Sequence, residues 1–247
     1  MTDLDAPTIT ATGLWYPDGV GVRPWRSNAE LIARGVVPLG FLRPEDRVLD
    51  PTYGKGVWWR DWQPNELVCH DIDGDGVDFR QLPHGDKSFD AVAYDPPYVS
   101  VGGRGTSTLE EFNGRYGLKD APGSPKALAE MIEGGLQESW RVLRPGGILL
   151  AKTANYVSSG KLFPGSYLAL EAALDFGFRL EDWFVFLGSV RPQPPRTRKC
   201  GRCGGFALDE NWVKCVECGG VGRTASTQQH ARQNVSYLHV LRRPPLS

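Results

Sequence analysis

Asp50-Pro51-Thr52-Tyr53-Gly54-Lys55-Gly56 directly follows the apolar pair Val48-Leu49. Glycines at a strand-to-helix turn let a nucleotide-like ligand come close to the backbone. A dinucleotide fingerprint would put a third glycine where Trp59 stands, and a P-loop would follow Gly54-Lys55 with Ser or Thr instead of Gly56. Neither dinucleotides nor NTP phosphates are favoured. Further on, Asp71 closes Val68-Cys69-His70-Asp71, the place where doubly wound folds offer an acid to ribose hydroxyls. An ordinary tight turn after a strand would also use these glycines.

Asp95-Pro96-Pro97-Tyr98 follows the apolar run 89–94. Consecutive prolines fix an extended backbone and remove two amide donors. What remains is a carboxylate and a backbone carbonyl, both acceptors, beside an aromatic ring. Such a set suits a planar, amino-bearing base: the acceptors take its N–H hydrogens and the ring stacks on its face. Read blandly, Asp-Pro-Pro only stops a strand.

Asp71-Ile72-Asp73-Gly74-Asp75-Gly76 has the opening of a calcium loop. Its eighth position is Asp78 where an apolar residue belongs, and its twelfth is Leu82 where Glu belongs. Calcium is disfavoured.

Cys200, Cys203, Cys215 and Cys218 form two C-x-x-C pairs, with Cys69 alone elsewhere. Two such turns can aim four thiolates at one metal, and glycines after three of the four ease the backbone turns. Four thiolates favour a structural zinc, although the spacing also admits iron. The 247-residue chain has a net charge of −1, yet residues 191–243 carry +7 and the remainder −8. A basic quarter on an acidic body fits a polyanion partner, and equally a solvated surface.

These residues need a frame. Ser27 with Glu30 reads as a capping box opening a helix that Pro38 and Gly40 end. Strands are expected at 47–50, 66–70, 89–94, 148–152, 183–188 and 236–241. Ser124-Pro125 starts a helix with Leu128, Ile132, Leu136, Trp140 and Leu143 on one face, and another helix is expected at 166–175. Strand–helix alternation argues a mostly parallel sheet covered on both faces. Residues 99–123 read as a long polar loop, of the kind that usually carries function. Hydrophobic residues make up 40% and charged ones 23%, which excludes a disordered or collagen-like chain. The acidic start Met1-Thr2-Asp3-Leu4-Asp5 is unlike a signal peptide and no apolar run reaches spanning length, so a cytoplasmic location is expected.

Taken together, the motifs at 50–56, 71 and 95–98 resemble S-adenosylmethionine-dependent DNA amino methyltransferases of the Asp-Pro-Pro-Tyr type. The likeness extends through Arg141-Val-Leu-Arg-Pro-Gly-Gly-Ile-Leu-Leu-Ala-Lys152 and Ser236-Tyr-Leu-His-Val-Leu-Arg242, and the wording at Tyr98-Val-Ser-Val-Gly-Gly-Arg104 and Arg191-Pro-Gln-Pro-Pro-Arg196 is similar to small actinobacterial and phage DNA methylases. The resemblance implies an α/β, doubly wound, Rossmann-like fold. Its sheet would have seven strands, the last antiparallel, with a zinc-ribbon insertion before that strand. The core would then be residues 1–190 and 234–247, and the basic ribbon 191–233. By resemblance, S-adenosylmethionine is held by Asp50, Pro51, Tyr53, Gly54, Gly56, Asp71, Ile72, Asp78 and Asp95. Asp78 would follow a short strand near Val77. Asp95, Pro96, Pro97 and Tyr98 would handle the target amine, adenine N6 ahead of cytosine N4. Arg104, Arg191, Arg196, Arg198, Lys199 and Arg202 are expected to face DNA. Two alternatives stay open: an RNA base methyltransferase, and a non-catalytic zinc-containing nucleic-acid binder on the same scaffold.

Overall fold

The computed structural model describes residues 8–10, 13–15, 25–97, 122–158, 161–187, 197–208, 210–225 and 235–246. Tyr98, Arg104, Arg191 and Arg196 lie outside the described residues, as does most of the expected loop 99–123. The chain divides into two compact units, Met1–Gly188 with Gln233–Ser247, and Ser189–Arg232.

The first unit begins with a small antiparallel pair, β1 (Thr8–Thr10) and β2 (Gly13–Trp15). Helix α1 (Asn28–Leu31) opens where the Ser27 hydroxyl accepts from the Glu30 amide at 3.0 Å. Glu30 reaches back to accept the Arg26 amide at 2.8 Å, one residue before the Ser27 amide that a full capping box would use. The helix loosens into a π-turn over Ile32–Val36.

Four parallel strands follow: β3 (Arg47–Asp50), β4 (Glu66–Cys69), β5 (Phe89–Tyr94) and β6 (Leu143–Ala154). Helix α2 (Pro125–Val142) precedes β6, capped by Ser124 with Pro125 in its first turn. Leu143, expected on that helix, already has extended backbone and pairs with Phe89. A small hairpin, β7 (Tyr156–Ser158) and β8 (Lys161–Phe163), leads into α3 (Gly165–Asp175) and β9 (Arg179–Leu187). Strands β10 (Thr197–Lys199) and β11 (Arg223–Ala225) belong to the second unit, and β12 (Val235–Arg242) returns to the first.

The main sheet runs β4-β3-β5-β6-β12-β9, with β12 antiparallel to both neighbours. It has six strands among the described residues, one fewer than the seven expected. The missing strand is the one near Val77. There the Asp75 carboxylate accepts the Val77 amide and Asp78 accepts the Arg80 amide, so local side-chain bonds replace ladder bonds.

Pleating sorts the core to two faces. Val48, Ala91, Ala93, Ile148 and Leu150 pack with α1, Trp58, Trp59 and Phe184. Leu49, Val92, Tyr94, Leu149 and Ala151 pack under α2 and α3 with Leu128, Ile132 and Leu136. Gly135 admits the Tyr94 ring, because a Cβ there would lie 2.1 Å from the phenol oxygen. No described helix is long and apolar enough to cross a membrane.

Candidate functional site

Strand β3 is flanked by β4 on one side and β5 on the other, so the winding of the sheet reverses beside β3. In open α/β sheets, ligands bind outside the carboxyl ends of the strands at this reversal. Three carboxylates stand there: Asp50 ends β3, Asp71 follows β4 and Asp95 follows β5.

Asp50 is buried at 4% exposure and serves the turn itself. Its carboxylate accepts from the Trp59 indole at 2.7 Å and the Thr52 amide at 3.0 Å. Burial pushes its carboxyl up to about 7; the Trp59 and Thr52 bonds oppose the rise, and the nearby Asp95 adds to it. Gly54 and Gly56 have φ of +53° and +62°, backbone that disfavours side chains. A Cβ on Gly56 would also sit 2.5 Å from the Tyr53 hydroxyl, so Tyr53 folds over that glycine. Pro51 is buried beside the turn, and Ile72 is half-buried.

Asp71 ties the two strand ends together. Its Oδ2 accepts the Gly54 amide at 2.8 Å and its Oδ1 the Asp73 amide at 2.9 Å. Each carboxylate oxygen has a second lone pair, which leaves capacity for ligand hydroxyls. Asp78 is bonded instead to Arg80, through Nε at 3.0 Å and Nη2 at 2.6 Å, which holds its carboxyl below the usual range. Asp75 accepts the amides of Asp71 and Val77 and pairs with His70. The calcium-like spacing is thus spent on local turns.

Asp95 carries the most specific geometry. Its Oδ2 accepts from the Trp58 indole at 3.1 Å and lies 3.6 Å from the Lys152 ammonium. Its amide donates to the Thr52 hydroxyl at 2.9 Å. Its Oδ1 is buried and has no hydrogen-bond partner among the described residues. Burial raises its carboxyl above the ordinary value, against the pull of Lys152 and Trp58. Pro96 and Pro97 are buried and donate no amide bonds. A buried carboxylate oxygen without a donor is an acceptor suited to a ligand N–H.

Sequence reasoning missed Thr52, Trp58, Trp59 and Lys152. One signal was present: Lys152 interrupts the apolar run 148–151 in a strand, and a buried ammonium needs a counter-ion. It is 4% exposed and lies 5.3 Å over the Phe186 ring.

In the second unit the four sulfurs of Cys200, Cys203, Cys215 and Cys218 lie within 4.8 Å of one another. Cys200–Cys215 is 3.8 Å and Cys203–Cys218 is 3.7 Å. Zinc–sulfur bonds of about 2.3 Å in a tetrahedron require sulfurs about 3.8 Å apart. The residues fit a four-thiolate zinc. The Gly222 amide donates to Cys218 Sγ at 3.2 Å, as thiolate sites require. Strands β10 and β11 pair antiparallel in this unit, and Leu208 bridges Lys214. Lys199 and Arg202 are exposed on it; of Arg198 only the backbone is described.

No protein family and no curated protein matches the chain. Among solved structures, a proposed DNA modification methylase of Thermus thermophilus aligns at 13% identity and TM-score 0.39, covering 69% of this chain and 53% of that one. The same protein complexed with S-adenosyl-L-methionine aligns at 14% and TM-score 0.40, over 81% and 57% of the two chains. TrmN from Thermus thermophilus aligns at 17% and TM-score 0.45, over 88% and 50%. The chain thus spans little more than half the length of the first protein. Likeness at these scores does not define a family; the site geometry has to carry the functional reading.

Proposed function

We propose that the chain transfers a methyl group from S-adenosylmethionine to the exocyclic amino group of a flipped DNA base, adenine N6 ahead of cytosine N4. The observation that carries this reading is the buried, donor-free Oδ1 of Asp95, at the carboxyl end of β5 where the sheet winding reverses. An exocyclic amine lends its lone pair to the ring and is a poor nucleophile. Asp95 Oδ1 and the Pro96 carbonyl accept its two N–H bonds, which favours a pyramidal nitrogen with a free lone pair. The raised proton affinity of Asp95 lets it take the proton that the methylated nitrogen sheds. Lys152 and Trp58 hold the other oxygen, so the carboxylate cannot turn away. Tyr98 stacks on the extruded ring, and Pro97 keeps the backbone extended between them.

S-adenosylmethionine supplies an electrophilic methyl group on its sulfonium sulfur. The left-handed glycines Gly54 and Gly56 and the spare lone pairs of Asp71 suit its amino-acid and ribose parts; Asp50, Pro51, Tyr53 and Ile72 shape that cradle. For Asp78 to contact the adenine of the cofactor, its carboxylate must share or release Arg80. A four-thiolate zinc leaves no open coordination position, so its duty is structural. Arg104, Arg191, Arg196, Arg198, Lys199 and Arg202 serve the nucleic-acid backbone.

The test is incubation with methyl-labelled cofactor and matched panels of DNA and RNA. Label on the amino group of a DNA base supports the reading, and label on RNA alone replaces DNA by RNA. No transfer to either, with cofactor bound, overturns it.

A further inference from the structure

The zinc-ribbon unit exposes two large rings that its own fold does not use. Phe206 is 85% and Trp212 is 84% exposed, more than any other large apolar side chain described; the most exposed rings of the first unit, Tyr167 and Trp183, are 60% and 58% exposed. Both rings belong to the segment 206–216, which links the two cysteine pairs. Cys215 donates its amide to the Ala207 carbonyl at 3.0 Å, and Leu208 bridges Lys214. Successive side chains across such a bridge alternate between faces. Cys215 is fully buried in the sulfur cluster, and its neighbours Lys214 and Val216 are exposed. Beside the metal site Cys215 thus turns inward and Lys214 and Val216 outward, and the tip from Glu210 to Val213 is exposed throughout.

Trp212 makes the point sharper. Its φ is +59°, a left-handed conformation that Gly or Asn adopts more cheaply. The backbone gains nothing from a tryptophan there, and neither does the core. Ala207 and Lys87 share that left-handed backbone, but neither places a large ring in solvent, and an outlier with no packing return is a reason to look for a ligand. The surroundings name the ligand's charge. Over residues 189–232 the sequence has eight Arg/Lys against three Asp/Glu, and remains +3 with a zinc and four thiolates counted. Lys199, Arg202 and Lys214 are exposed and form no ion pair among the described residues; Glu210 and Glu217 are the described acids on the unit.

We infer that the segment 206–216 is a stacking surface for unpaired nucleobases, with Phe206 and Trp212 as the platforms and Lys199, Arg202 and Lys214 meeting the phosphates. Aromatic rings interleaved with cations match the two halves of a nucleotide, an apolar face and an anion. In a duplex both faces of every base are already stacked, so free rings select single strands, extruded bases or ends. The inference rests on the proposed function only in taking nucleic acid as the ligand; it does not need methyl transfer to occur.

The experiment uses the full-length, zinc-loaded protein and fluorescence anisotropy with a labelled 12-mer as single-stranded DNA, as single-stranded RNA and as duplex DNA. Variants are Phe206→Ala, Trp212→Ala, both together, and Trp212→Phe, each checked for one zinc per chain. The parent is expected to prefer single strands over duplex. Each alanine should weaken single-strand binding about 10-fold, as loss of one stacked base does, with duplex binding altered less than about 2-fold. Trp212→Phe should stay near the parent. The RNA and DNA arms show which sugar the surface accepts. Single-strand binding unchanged in the zinc-loaded double variant overturns the inference. So does unchanged binding accompanied by loss of a dimer in sedimentation, which would make the rings an interface between copies. Methyl transfer is recorded in parallel: ring-dependent binding without transfer sinks the proposed reaction alone, and transfer without ring-dependent binding sinks this inference alone.

Discussion

Thr52 and Asp95 are joined across 43 residues of sequence by a 2.9 Å hydrogen bond from the Asp95 amide to the Thr52 hydroxyl. The same hydroxyl lies 3.4 Å from Asp50 Oδ1, to which it donates. One side chain thereby fixes the glycine turn against the Asp-Pro-Pro segment, the two halves of the candidate site. Thr52→Val keeps the shape and removes the bond, leaving the Asp95 amide unpaired. The variant is expected to lose about 1–3 kcal/mol of stability. Because the target acceptor is misplaced, turnover should fall about 10- to 100-fold. Chemical denaturation and steady-state kinetics measure the two, and Thr52→Ser should restore both.

Asp95 and Asp71 separate chemistry from cofactor binding. Asp95→Ala should abolish methyl transfer while changing cofactor affinity less than about 3-fold, since its free oxygen addresses the amine in the transition state. Asp71→Ala loses charged hydrogen bonds and should weaken the cofactor about 10- to 100-fold. Calorimetry with S-adenosylmethionine, alongside a transfer assay, reads both. Full activity in Asp95→Ala would remove the assigned mechanism.

Asp50 gives stability a definite pH dependence. Its carboxyl titrates at about 7 in the folded chain against an ordinary 3.8, so the folded state holds the proton more tightly. Its contribution is fully present below pH 3.8 and is lost as pH rises through about 7. The loss amounts to about 1.4 kcal/mol per pH unit across that window. Asp50→Asn cannot titrate. The stability of the variant relative to the parent should therefore improve steadily from about pH 4.5 to about 7, as read from paired urea midpoints. A difference independent of pH would contradict the assigned cause.

Gly135 lies against the buried Tyr94 ring, whose hydroxyl donates to the Ile132 carbonyl at 3.2 Å. Gly135→Ala would normally favour a helix. Here the added methyl meets the phenol, and the expected result is a loss of about 1–3 kcal/mol, seen as a lower melting temperature. Tyr94→Phe in the same chain should not recover it, because the ring carbons Cζ and Cε2 would still crowd the added methyl.

The cysteine cluster should hold one zinc per chain, measurable by elemental analysis of protein purified without chelator. Metal removal should release the site's hold on its thiolates, which then take up protons, and should unfold residues 197–225 before the main sheet melts. Hydrogen exchange resolved by segment follows that order. Protein that lacks stoichiometric metal yet keeps this unit protected would disprove a structural zinc.

Much of the frame was legible in local sequence. Ser27 with Glu30 and Ser124 with Pro125 mark helix starts because capping bonds span three or four residues. Short apolar runs marked β3, β5 and β12, since alternation along a strand is also local. The cysteine spacing pointed to a metal because each C-x-x-C turn aims its own two sulfurs. The strand expected near Val77 failed for a local reason as well: Asp75 and Asp78 claim the amides that pairing would have used. What only the tertiary structure decided is the surroundings of the carboxylates. Trp58 reaches Asp95 across 37 residues, and Lys152 meets the same carboxylate from the next strand. Those partners depend on strand order, and strand order follows from burying two apolar faces at once, which no single stretch of sequence encodes.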